Sequence, residues 1–128
     1  MKIATLIARI LLGLIFVVFG LNKFLMFIPM NPMPTGLALQ FFMVLLQSHI
    51  LYVVATIEVI GGALLLINRY APLGLVLLGP VIFNILLYHS FLAPSQLPVA
   101  LLLVVLWAFL AFRSKGNLAG IFDQRMEA

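Results

Sequence analysis

Apolar runs at positions of about 3–28, 49–67, 73–92 and 98–112, separated by proline-bearing or basic segments, leave this chain little choice but to cross a bilayer. A helix rises about 1.5 Å per residue, so roughly 20 apolar residues span a hydrocarbon core of about 30 Å. The first run exceeds that length and is expected to tilt or to project its last turn. With 66% hydrophobic and 8% charged residues, a soluble fold would lack the polar surface it needs. The expectation is an all-α membrane protein: a four-transmembrane-helix bundle forming a single membrane domain over 1–128, with a short interfacial or re-entrant helix between spans one and two.

Basic residues set the predicted orientation. With the N-terminus inside, Lys2, Arg69, Arg113, Lys115 and Arg125 fall on the cytoplasmic side and only Lys23 lies near the outer surface, which predicts N-in and C-in. The net charge of +4 is spread among membrane segments and forms no patch, so nucleic acid is not an expected partner. The first run is too long for a signal-peptide core and lacks a clear cleavage site, and is read as a retained span. The 128 residues contain no cysteine, which removes thiol redox chemistry and thiolate metal sites from this chain.

Between spans one and two, Pro29, Pro32 and Pro34 end the first helix and predict an extracytoplasmic loop. The following apolar stretch to Gln47 is too short to cross alone, and a break near Ser48 and His49 predicts a short helix over 37–47. Asn68 is a candidate cap and Pro72 a helix opener between spans two and three. In span three, Gly79-Pro80 predicts a kink. Span four, with Trp107 as its one large polar-edged residue, reads as the wall of the bundle, and 113–128 as a cytoplasmic tail.

One acid, Glu58, stands mid-way along span two. A charge at that depth costs at least about 2.5–3.5 kcal/mol on insertion scales, so it should face the bundle interior and have a partner or carry a proton. Gly61 and Gly62 lie one turn away and predict close helix packing beside it. On span one, Arg9, Gly13, Phe16, Gly20 and Lys23 follow at steps of four and three and share one stripe, which offers two cations as partners. The alternative for Lys23 is that its ammonium snorkels to the headgroups, whereas the deeper Arg9 is expected to pair. Asn84 and Tyr88 are one turn apart on span three. Asn22, Lys23, His49, Tyr88 and His89 should gather in the outer half of the bundle.

These landmarks resemble the DoxX family of small bacterial membrane proteins. The resemblance rests on Ala8-Arg9-Ile10, Phe19-Gly20-Leu21-Asn22-Lys23-Phe24, Ile28-Pro29-Met30, Met33-Pro34, Ile57-Glu58-Val59-Ile60-Gly61-Gly62 with Asn68-Arg69-Tyr70, and Gly79-Pro80-Val81-Ile82-Phe83-Asn84-Ile85 to His89-Ser90-Phe91-Leu92-Ala93-Pro94, over roughly 5–112. It implies a four-helix protein of the bacterial inner (cytoplasmic) membrane, linked to terminal quinol oxidase, to thiosulfate:quinone oxidoreductase and to membrane-associated oxidoreductase assemblies. It carries over the placement of Arg9, Lys23, Glu58, Asn84 and His89 in the bundle interior, but no catalytic mechanism.

Two classes of function follow. In the first, a quinone or similar amphipathic ligand enters an outward-opening cavity, with Asn84, Tyr88 and His89 donating to carbonyl oxygens and Glu58 holding a proton. In the second, Glu58 pairs with Arg9 or Lys23 to fix helix packing, Asn84 bridges helices, and the chain is a non-catalytic scaffold or assembly subunit. A proton-coupled small-molecule transporter is a further alternative, although an acid on the second span does not match small multidrug exporters. A haem held by His49 and His89 is the lesser metal alternative, since histidines at helix ends are more often interfacial. The expected surroundings are the lipid bilayer, a membrane or peripheral oxidoreductase partner, and a second copy in a homodimer.

Overall fold

The computed structural model describes residues 2–25, 34–92 and 94–119, and all regular structure among them is helical. The helices are α1 (Lys2–Leu25), α2 (Gly36–Gln47), α3 (Ile50–Ile67), α4 (Ala71–Phe91), α5 (Leu97–Arg113) and the single turn α6 (Lys115–Leu118). The end of the predicted first span (26–28), loop residues 29–33 and the tail from 120 onward, with Asp123 and Arg125, lie outside the described residues.

Helices α1, α3, α4 and α5 pack in a ring in which α1 lies on α3, α3 on α4, α4 on α5, and α5 back on α1. The shared core includes Leu12, Phe16, Leu65, Leu75, Leu78 and Leu103. Outward-facing positions are themselves apolar: Ile3, Val53, Phe83 and Val105 are all exposed. A soluble bundle would place polar residues there, whereas lipid accepts these as they are. By length and composition, α1, α3 and α4 can each cross a membrane. Helix α5, at 17 residues, reaches about 26 Å. Arg113 at its end can close the remaining mismatch by reaching to the headgroups.

Along the α1–α3 seam glycine faces glycine, and the two backbones approach closely. A Cβ added to Gly62 would stand 2.8 Å from the Gly13 carbonyl oxygen, and one added to Gly13 would stand 2.9 Å from that of Gly62. The neighbouring Gly61 faces the other way, where a Cβ on Gly74 of α4 would meet its carbonyl oxygen at 2.9 Å. Two adjacent glycines therefore let α3 touch helices on opposite sides, as small-residue interfaces do in lipid. Opposed pairs such as Gly13 with Gly62 and Gly20 with Ala55 show that α1 and α3 run antiparallel.

The breaks between helices have local causes. At the α2–α3 junction His49 adopts φ 67°, while the Ser48 hydroxyl donates to the Leu45 carbonyl (3.3 Å) and accepts from the Ile50 N–H (3.3 Å). Asn68, a residue type that tolerates the left-handed region, ends α3 at φ 54°, and Pro72 lies in the first turn of α4. Pro80 lies inside α4, where it removes a backbone donor. Close to that point the Trp107 indole N–H of α5 donates to the Leu75 carbonyl (2.8 Å), and its ring lies against Gly79. The α4–α5 seam is thus tied by a polar contact at the site where α4 is weakest.

Candidate functional site: a buried ion pair between α1 and α3

Glu58 occupies the middle of α3 and is 2% exposed. Gly20 of α1 makes room for it, since a Cβ there would stand 3.2 Å from the Glu58 Cβ. Lys23 supplies the charge partner, with Nζ 3.0 Å from Oε2 of Glu58 and its side chain 26% exposed. Rather than snorkelling to the headgroups, the ammonium turns inward along α1. The antiparallel register explains the choice of cation. Lys23 stands about 6 Å along the axis from Glu58, within reach of its stem, whereas Arg9 stands about 15 Å away on the other side.

Arg9 instead serves the end of α3. Its Nη1 donates to the carbonyl oxygens of Leu65 and Leu66, the latter at 3.2 Å. The last carbonyls of a helix have no partner within it and carry the negative end of its dipole, so a guanidinium from a neighbouring helix satisfies both needs. The two cations on the α1 stripe thus hold α3 at two heights, one through a side chain and one through backbone.

The span-three candidates sit elsewhere. Asn84 is exposed on α4, about 5 Å from the midpoint of that helix, with its Nδ2 donating to the Pro80 carbonyl at 3.1 Å. This differs from the interior position expected of it. The few polar residues of α4, Asn84, Tyr88, His89 and Ser90, point in different directions around it, so the sequence offers no single polar face by which to phase it. Tyr88 and His89 form an edge-on ring pair with centroids 5.1 Å apart, and Phe41 of α2 lies against Tyr88 at 5.7 Å. His89 Nδ1 is 2.8 Å from the Ile85 carbonyl. A carbonyl only accepts, so Nδ1 carries the hydrogen and the Nε2 of a neutral His89 is an acceptor. That reverses the donor role expected of it toward a quinone carbonyl.

His49 is exposed and stacks on Tyr52 (5.8 Å), which in turn stacks on Phe24 of α1 (5.5 Å). The two histidines proposed for a haem thus engage different tyrosines on different helices. Asn22 is half-buried beside Lys23. Among the described residues no group of three or more His, Cys, Asp and Glu side chains could hold a metal ion. Sequence reasoning assigned no role to Phe24, Phe41 or Tyr52. Phe24 adjoins Lys23 in sequence, but its match with Tyr52 emerges only once α1 and α3 are set in register.

A ring of apolar helices closed by glycine contacts, with one acid neutralised inside it, defines a polytopic helical membrane protein. The family model described as DoxX matches residues 4–90, and the chain belongs to that family. The match covers α1 to α4 and ends before α5, short of the 112 expected from the sequence landmarks. Neither the curated proteins nor the solved structures gave a match to this chain.

Proposed function

We propose that the chain is a non-catalytic membrane subunit that assembles, through the outer face of α4, with a quinone-linked oxidoreductase in the bacterial cytoplasmic membrane. The observation that carries this reading is the position of Asn84: a carboxamide exposed near mid-span among apolar neighbours, with Phe83 and Leu87 exposed beside it. Its one described hydrogen bond, to the Pro80 carbonyl, leaves further donor and acceptor capacity. In lipid such a group finds its partner on another helix, in interactions of about 0.6–2 kcal/mol. Glu58 favours the same conclusion from inside, because Lys23 already holds its carboxylate. Orientation by basic residues, N-in and C-in, puts Asn84 in the outer half of the bilayer.

Gentle detergent capture of the tagged chain from native membranes tests the reading. Quinone-linked oxidoreductase activity is expected in the eluate and should fall at least severalfold for Asn84→Leu, with helix content by circular dichroism unchanged. A wild-type eluate without that activity refutes it, and capture of only a second copy replaces the oxidoreductase with a homodimer.

The corner of Tyr88, His89 and Phe41 favours a second reading, in which this chain itself receives a quinol. There Tyr88 would donate and His89 Nε2 would accept from a quinol hydroxyl. The purified wild type is then expected to bind a short-chain quinol, and Tyr88→Phe with His89→Leu to bind it at least tenfold more weakly. Equal affinity in variant and wild type removes the corner from consideration.

A further inference from the structure

At the opposite end of the bundle from Tyr88, a cavity of about 240 Å³ is lined by Lys2, Thr5, Leu6, Arg9, Asn68 and Arg113. It draws together the start of α1, the end of α3 and the end of α5. Three of its residues are cations, and no described acid lines it. Glu58, the one acid among the described residues, is bound to Lys23 far along α1. The two guanidinium groups are held in place: Arg9 on the Leu65 and Leu66 carbonyls, and Arg113 through Nε, which donates to the Thr5 hydroxyl at 3.1 Å. Using Nε leaves the terminal amino groups of Arg113 for another acceptor, and an arginine offers five N–H donors in all.

We propose that this cavity binds the phosphate of an anionic phospholipid headgroup. Arginine forks match phosphate oxygens in pairs, and fixing them beforehand lowers the cost of ordering them when the ligand arrives. The ligand chemistry is a phosphate ester, which a lipid or a free phosphate could supply. The surroundings select the lipid. The cavity opens at the level of the helix ends, where headgroups lie, and Ile3, Leu6 and Ile7 continue from it along α1 as an exposed apolar strip on which an acyl chain can rest. Counting basic residues assigns this end to the cytoplasmic leaflet, the leaflet in which anionic lipids attract such clusters.

The test compares phosphatidylglycerol, phosphatidylcholine with the same acyl chains, and inorganic phosphate. Each is added to the full chain in non-ionic detergent, with bound lipid counted by native mass spectrometry and the melting temperature followed by circular dichroism. Phosphatidylglycerol is expected to stay bound and to raise the melting temperature, while phosphatidylcholine does neither. The double variant Lys2→Gln with Arg113→Gln is expected to lose phosphatidylglycerol affinity by roughly tenfold or more, and Lys115→Gln, outside the cavity, to retain it. Arg9 is left intact because it holds α3, and unchanged helix content verifies that the double variant folds. Equal retention of both lipids, or wild-type affinity in the double variant, overturns the proposal. Protection by inorganic phosphate at the same concentration as the lipid overturns the lipid assignment.

Discussion

Lys23→Met is expected to destabilise the bundle by about 3–5 kcal/mol, the usual cost of leaving a buried charge without its partner. Glu58, 2% exposed in the middle of α3 and walled by Gly20, has no headgroup or water within reach to replace that partner. The reciprocal substitution is expected to be milder. Glu58→Gln keeps the shape of the side chain, and Lys23, whose side chain is 26% exposed, can swing its ammonium toward the headgroups. A loss of about 1.5–3 kcal/mol is expected for it, the range for hydrogen bonds to charged groups. Replacing both residues by methionine should recover most of the stability, because removing both members of a buried pair is often neutral. Sodium dodecyl sulfate titration of the protein in mixed micelles, followed by the fluorescence of Trp107, measures all of these. If Lys23→Met proves no worse than Glu58→Gln, the pair is not the tie described for it.

Gly62→Ala is the second substitution expected to have a large effect, at about 1–3 kcal/mol or more. Its methyl group would meet backbone, the Gly13 carbonyl oxygen at 2.8 Å and the Val17 nitrogen at 3.0 Å, so α1 must move as a whole. Displacing α1 stretches the Lys23–Glu58 and Arg9–Leu66 contacts together. At Gly61 the nearest obstacle is the Leu78 side chain at 2.8 Å, which can rotate, and at Gly116 nothing lies within 4 Å. The expected order of destabilisation in the same titration is Gly62→Ala, then Gly61→Ala, then Gly116→Ala. Equal effects at the three positions, in the limit the equal gains that the higher helix propensity of alanine alone would give, would show that contact does not govern them.

Much of the architecture is legible in the chain because the bilayer imposes so strict a length. The apolar runs and the prolines between them locate the helices, and the four-and-three spacing from Arg9 to Lys23 gives α1 a definite inward face. The acid could be found, but its partner could not. Choosing between Arg9 and Lys23 requires the antiparallel register of α1 on α3, which the opposed pairs Gly13 with Gly62 and Gly20 with Ala55 set through contacts distant in sequence. Arg9 was expected to seek an acid and instead found backbone carbonyls, acceptors that no residue letter announces. Asn84 shows the opposite limit: on a helix whose few polar residues point in different directions, none of them says which side faces in. Trp107 was legible as a wall residue, yet its bond to the Leu75 carbonyl depends on how α4 and α5 meet near Pro80.

The most extensive seam joins helices that are not neighbours in the chain, and this bears on biogenesis. When α1 first enters the membrane it brings Arg9 and Lys23 with it, and both of their acceptors belong to a helix still to be synthesised. Helix α3 arrives with the converse problem, a carboxylate at its centre and open carbonyls at its end. Each segment alone is a costly insertion, and each relieves the other. The two segments therefore partition into lipid more cheaply as a unit than one after the other.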